Sequence, residues 1–275
     1  MKKHVLLLGM AALPLLTACL KNNPAGFPYT PPLRITDIKG RNNYAPGRDS
    51  IIITYNNAGN PIRIVRGETS TGSPSFQLRY DRQNRLRDII GVYNGRENIG
   101  DYFEIWHRYH YDRYNQVIAD TTYSFGVIGQ QDPLPRPGQP AVTIGNIFSF
   151  SYDSQHRINR SSMEVGPVHT ITTTWYYNSA GNAYRIHTRD VWHQPDSLPY
   201  PDTDRYPVYD NKVNFRRLHP VWQLIDLDYS RNNPFQATAY NIYGLPLDIP
   251  IHPKEYLNIL GINSFSAIDE IKYAH

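Results

Sequence analysis

The 275-residue chain has one cysteine, Cys19, and no second thiol to pair with it. An internal disulfide is thereby excluded, and the fold has to be held by burial alone. Other signatures are missing too. There is no G-x-S-x-G, no H-E-x-x-H and no glycine-rich phosphate loop after a strand. No apolar run reaches the roughly 18 residues of a membrane-spanning helix. No sign of charge dominates: 28 Lys and Arg face 24 Asp and Glu, for a formal +4, and nothing in that balance points to nucleic acid.

What is present begins at the N-terminus, MKKHVLLLGMAALPLLTACL. A basic start at Lys2, Lys3 and His4 precedes twelve largely apolar residues from Val5 to Leu16, which is the layout of a signal peptide. The run Leu16-Thr17-Ala18-Cys19 resembles a bacterial lipobox. That resemblance implies cleavage before Cys19 and a diacylglycerol, with palmitate among its acyl chains, on the cysteine sulfur. The expected organisation is a lipoprotein signal over 1–18, a lipidated tether over 19–34, and a single domain over 35–275. Removing the signal leaves 275 − 18 = 257 residues and, without Lys2 and Lys3, a formal charge of +2. The tether holds Pro24, Pro28, Pro31 and Pro32, so it is expected to run extended at about 3 Å per residue.

Tyrosine is the compositional outlier, with 22 copies, and with Thr and Ile it favours strands. Five tyrosines open a shared pattern: Tyr55-Asn56-Asn57-Ala58-Gly59-Asn60, Tyr80-Asp81-Arg82-Gln83-Asn84-Arg85, Tyr111-Asp112-Arg113-Tyr114-Asn115-Gln116, Tyr152-Asp153-Ser154-Gln155-His156-Arg157 and Tyr177-Asn178-Ser179-Ala180-Gly181-Asn182. They recur at spacings of 25, 31, 41 and 25 residues. The Asp or Asn after each Tyr accepts from backbone N–H groups two residues on and starts a type I turn. Gly59, Asn84, Asn115, His156 and Gly181 share one aligned place, which suits a left-handed residue closing the turn with a bulge. Period-two alternation precedes the turns, as in Phe76, Leu78 and Tyr80 or Ile171, Thr173, Trp175 and Tyr177. Return strands are expected over Pro61–Arg66, Leu86–Tyr93, Val117–Phe125 and Tyr184–Trp192. The expected fold is therefore all-β: an antiparallel β-meander of about ten or more strands curled into an open or closed barrel, with one or two short helices near the C-terminus.

The run Leu78-Arg79-Tyr80-Asp81-Arg82-Gln83-Asn84-Arg85-Leu86 resembles the YD repeat of Rhs and teneurin shells, although the first Tyr of that consensus is absent and Gly is often Asn or His. Together with the lipobox, the repeats from Ile51 to Trp192 resemble uncharacterised Bacteroidetes lipoproteins with a porin-like meander. The later runs Tyr209-Asp210-Asn211-Lys212-Val213-Asn214-Phe215 and Asn232-Asn233-Pro234-Phe235 are similar to a segment such proteins carry after their hairpins. The resemblance implies a fold and an outer-membrane address and no reaction.

Residues 35–192 form the hairpin region and 193–275 a less regular remainder. Two proline-rich stretches, Gly129–Ala141 and Gln194–Pro207, read as loops at the end opposite the tight turns. Asn214–Leu224 and Lys254–Leu260 are helical candidates, with Pro220 expected to bend or end the first. Ala267–Tyr273 reads as a last strand.

Candidate chemistry is thin. His107 and His110, an odd number apart on a strand, are expected on opposite faces and so do not share a metal. Asp202, Asp204 and Asp210 have the spacing of a partial calcium loop without its Gly or distal Glu. Asp226 and Asp228 are expected to share a strand face, at a spacing a glycoside hydrolase could use. No catalytic residue, cofactor or metal is assigned. Arg79, Arg87, Asp88, Arg108 and Arg160 scatter through the strands and argue against a lipid-facing barrel wall. The aromatic residues Trp192, Tyr200 and Tyr206 surround the third proline cluster and are the ligand-binding candidates. The expected role is a non-catalytic binding or scaffold module. Its expected partners are the membrane, through the lipid on Cys19, and a glycan or an envelope protein. The alternative is an envelope hydrolase with its site at the long-loop end. The outer-membrane address leaves periplasmic and surface-facing orientations open.

Overall fold

A computed structural model describes residues 31–42, 47–93, 96–193, 200–250 and 265–275. Cys19, the tether up to residue 30 and the helical candidate Lys254–Leu260 lie outside the described residues.

Strands dominate. β1 (Arg34–Asn42) to β7 (Val117–Ile128) run through β2 (Arg48–Tyr55), β3 (Pro61–Arg66), β4 (Ser75–Tyr80), β5 (Leu86–Val92) and β6 (Tyr102–Tyr111). After the two-residue β8 (Pro133–Leu134) come β9 (Thr143–Tyr152), β10 (Ile158–Val165), β11 (His169–Tyr177), β12 (Ala183–Trp192) and β13 (Thr203–Arg205). A 3-10 turn (Phe215–Leu218), helix α1 (Pro220–Asp226) and β14 (Phe265–Ala274) complete the chain. The fourteen strands of the described residues belong to one antiparallel sheet, ordered β13-β12-β11-β10-β9-β7-β6-β5-β4-β3-β2-β1-β14, with β8 pairing β7. The strand path ends at β13 and β14, so the sheet is open, and it curls. Ile35 of β1 and Trp175 of β11 lie far apart in that order yet share one core with Trp222 of α1.

Each of the five repeats is a hairpin turn. In the second, the Asp81 N–H donates to the Arg85 carbonyl at 2.9 Å and Asn84 donates back to the Asp81 carbonyl at 3.0 Å. Oδ1 of Asp81 accepts from the N–H groups of Gln83 and Arg85, both at 2.9 Å. The aligned place is left-handed in every copy, with φ of 62° at Asn84, 63° at Asn115 and 59° at His156, and of 85° and 83° at Gly59 and Gly181. A register shift follows each turn: Arg79 faces Asp88 while Tyr80 faces Leu86, which makes Arg87 the bulge. That extra residue resets the side-chain alternation, so Leu86 and Ile89 point into the curl while Asp88 and Ile90 point out.

A sixth copy was not foreseen. Tyr240-Asn241-Ile242-Tyr243-Gly244-Leu245 makes the same bonds, Asn241 N–H to the Leu245 carbonyl and Gly244 N–H to the Asn241 carbonyl, both at 2.9 Å, with φ of 77° at Gly244. Its flanking strands have shrunk to the single bridge Tyr240–Pro246, so no alternation marks it in sequence.

Three expectations need correction. Pro220 starts α1 instead of ending a helix: it sits in the first turn, where its missing N–H is no loss, behind the His219 N-cap. Asp226 and Asp228 share no strand; they lie at the end of α1 and just after Leu227 (φ 50°), and both bind the buried guanidinium of Arg216. Both proline-rich stretches carry some strand. Residues Gly129–Asp132 and β8 fold back over the outer face, where Arg79 Nη1 donates to the Gly129 carbonyl at 2.9 Å and Arg108 Nη2 to the Gln131 carbonyl at 2.6 Å. They cover a second core of Ile90, Val92, Phe103, Trp106 and Ile128. β13 lies within the other stretch and pairs with Ile186–Thr188. The last strand is β14, as expected, and it pairs with β1 along its length.

Candidate functional site

The inner face is unevenly covered. Its β1–β5 side is packed with Ile38, Ile51, Ile53, Ile64, Leu78 and Ile89, all buried. Across β9–β12 Ile158, Ser161 and Ile186 are buried, but toward the long-loop end the inward residues are only half-buried and many are polar, among them Thr173, Thr188, His169 and Asp190. This open stretch of the concave face ends at the long-loop end in a compact group. His169, the first residue of β11, is directly opposite Trp192, the last of β12. Their rings stack at 4.2 Å and 17°. His169 Nε2 lies 2.5 Å from Asp190 Oδ1, so the carboxylate fixes the ring on which the indole rests. Tyr200 extends the row, its ring 6.3 Å from that of Trp192 at 31°, and it is 58% exposed.

The strand register brings these groups together. Residues of β11 and β12 two apart face the same way, so pairing His169 with Trp192 and Ile171 with Asp190 puts all four on the inner face. A second His–Asp pair lies deeper on that face: His107 Nδ1 is 2.8 Å from Asp120 Oδ2. Burial alone would lower the His107 pKa, but the adjacent Asp120 carboxylate more than offsets it, and the pKa is raised. His110 points outward to Thr121, so the two histidines do lie on opposite faces.

Of the three ligand candidates, the structure joins Trp192 and Tyr200. Tyr206, 65% exposed, follows β13 toward the other end of the sheet, and no ring contact links it to either among the described residues. His169 and Asp190 escaped the sequence reading; the only signal was their inward parity on adjacent strands. The acidic trio does not converge. Asp204 is held by Arg185 and His187, whereas Asp210 accepts from Asn233 and Tyr240. No group of three metal-ligating side chains occurs among the described residues.

A second concavity of about 480 Å³ lies at the tight-turn end, between α1 and the turns, lined by Tyr80, Tyr111, Tyr152, His219, Leu224 and Tyr229 among others. His219 Nδ1 accepts from the Val221 N–H at 3.2 Å, which leaves Nε2 to donate to Asn60 Oδ1, also at 3.2 Å. Burial, reinforced by Arg34, pulls its pKa down to about 4, so the ring is neutral.

No family profile matches the chain, and no curated protein matches it. Among solved structures it is weakly similar to the TcdB2-TccC3-TEV crystal structure, with a TM-score of 0.31 and 15% identity over 74% of this chain and 10% of that one. A TcdB2-TccC3 crystal structure gives a TM-score of 0.31 and 13% identity over 77% of this chain and 11% of that one. The Photorhabdus luminescens Tc holotoxin pore gives 0.25 and 13%, over 76% and 12%. The chain spans about a tenth of the length of each.

Proposed function

We propose that the chain is a lipid-anchored outer-membrane protein of the Bacteroidetes type, tethered through Cys19, that binds a glycan without chemistry on the His169–Trp192–Tyr200 row. The supporting observation is that row: an indole held flat by a carboxylate-anchored imidazole, with an exposed tyrosine beside it at the mouth of an open, polar concave face. Flat rings of this kind stack on the C–H faces of sugar rings, and neighbouring carboxylate and hydroxyl groups bond their hydroxyls.

The test uses the chain from residue 19 onward with Cys19→Ser, applied to a glycan array. Trp192→Ala and Tyr200→Ala are each expected to weaken binding at least tenfold with little change in thermal unfolding, while Tyr206→Ala binds like the parent. Unchanged binding in the Trp192→Ala/Tyr200→Ala double variant removes the row from consideration. Cleavage of a bound glycan would instead favour the hydrolase alternative, with the His169–Asp190 pair as its base.

A further inference from the structure

The near balance of charge along the chain conceals a separation in space. The six turns lie at one end of the sheet and bring basic side chains together there. Arg34 lies beside Gly59 of the first turn, Arg82 and Arg113 at the tips of the second and third, Arg231 against Gly181 of the fifth, and Lys212 beside Gly244 of the sixth. None of these five has an ion-pair partner among the described residues. The nearby carboxylates are already engaged. Asp81 and Asp153 pair with Arg85 and Arg157. Asp112 accepts from the N–H groups of Tyr114 and Gln116, and Asp210 is buried against Asn233.

The same end carries apolar tips. Ile242, at the point of the sixth turn, is 92% exposed, Tyr114 is 67% and Tyr243 is 41%. A turn tip needs no Ile or Tyr for its own geometry; single exposed apolar residues are ordinary on a protein surface, and Ile99 and Ile144 are exposed at the other end, so what sets these tips apart is that they share an end with the five unpaired cations. At the opposite end Lys39, Arg48 and Arg66 are each paired with a carboxylate, Glu270, Asp269 and Asp49 respectively, and of the loop arginines there Arg96 and Arg136 have no ion-pair partner among the described residues. The chain also enters β1 at the turn end, since Arg34 opens that strand.

From these observations we infer that the turn end is a membrane-docking face that sits on anionic lipid headgroups. Arg34, Arg82, Arg113, Lys212 and Arg231 meet the lipid phosphates, and Ile242, Tyr243 and Tyr114 enter the interfacial layer. Charge complementarity selects this occupant, and the apolar tips favour a bilayer over a soluble polyanion, because a bilayer offers both phosphate and an apolar boundary. Docked this way, the sheet holds the His169–Trp192–Tyr200 end away from the bilayer. The inference does not depend on glycan binding or on the lipid at Cys19.

The test is sedimentation with vesicles, using the chain from residue 19 with Cys19→Ser so that no acyl chain contributes. Binding is expected to vesicles of phosphatidylcholine with about one-third phosphatidylglycerol, and to fall steeply with salt because the Debye length shortens from about 30 Å at 0.01 M to 10 Å at 0.1 M. Arg82→Gln and Arg113→Gln should each weaken partitioning roughly fivefold and flatten the salt dependence. Ile242→Ser should weaken it at every salt concentration. All three positions are exposed turn tips, so thermal unfolding should match the parent. The inference is overturned if the chain binds pure phosphatidylcholine equally well, if it binds neither vesicle, or if it binds a soluble acidic polysaccharide while ignoring the anionic vesicles.

Discussion

The hydroxyl of Tyr111 donates to the backbone carbonyl of Leu86 at 2.8 Å, and Leu86 is the sixth residue after Tyr80, the tyrosine of the preceding hairpin. The relation repeats. Tyr80 donates to Pro61, Tyr152 to Val117 and Tyr177 to Ile158. Tyr209 and Tyr273, which open no such turn, donate to Ala183 and Pro246, the residues six after the fifth and sixth repeat tyrosines. Burial raises these phenols, Tyr152 to about 12, so they remain protonated donors. The Tyr of the repeat thus joins each hairpin to the one before it.

Tyr111→Phe keeps the ring and removes the donor, leaving the Leu86 carbonyl short of a partner. A loss of about 1–3 kcal/mol is expected in urea unfolding. Tyr114→Phe, at an exposed tip, should change stability by less than about 0.5 kcal/mol; equal effects at both positions would refute the joining role.

The turns are also linked through their left-handed residues. Asn60 Nδ2 donates to Asn84 Oδ1 at 2.7 Å, and Arg85 Nη1 donates to Asn115 Oδ1 at 2.8 Å. Gln116 Nε2 lies 2.9 Å from His156 Nδ1. These bonds explain why Asn or His stands where Gly is the easier residue. Asn115→Ala is expected to lose about 1–2 kcal/mol from left-handed strain together with the lost bond, and Asn115→Gly clearly less. An alanine variant as stable as the glycine variant would contradict this account.

Arg216 is 2% exposed and serves both Asp226 and Asp228. Arg216→Ala leaves two carboxylates without their cation in a poorly solvated place, at an expected cost of about 3–5 kcal/mol. A loss below 1 kcal/mol in denaturant titration would show that water reaches the pair.

His219 supplies a pH signature. Its folded pKa of about 4 is below the ordinary 6.5, so between these values the unfolded chain binds the proton more readily. The neutral ring's contribution is complete above pH 6.5 and is lost as pH falls toward 4. His219→Asn, which can still cap α1, should remove that part of the slope when urea midpoints are compared at pH 7, 5.5 and 4. An unchanged slope would assign the pH dependence to other groups.

Local sequence was enough for the hairpins, because turn chemistry acts within a few residues. Asp or Asn followed three places on by a residue that tolerates positive φ reverses the chain wherever it occurs, and period-two flanks identify the strands. The sixth turn has the same local code but lost the flanks that would have drawn attention to it. The candidate site depended on register. His169 and Asp190 are 21 residues apart and become neighbours only because β11 and β12 pair with one particular offset, which a turn bulge sets. Asp226 and Asp228, read from spacing as a strand face, took their arrangement from helix α1, whose end brings both to Arg216. Even the charge pattern is tertiary: side chains spread along the sequence are gathered at one end because the repeat turns are alternate connections of the meander, and alternate connections fall at the same end. The sequence alone therefore determined how the chain doubles back, a short-range matter of backbone torsions. Which side chains meet across the sheet, and what the curl encloses, was decided by long-range pairing and by burial against α1.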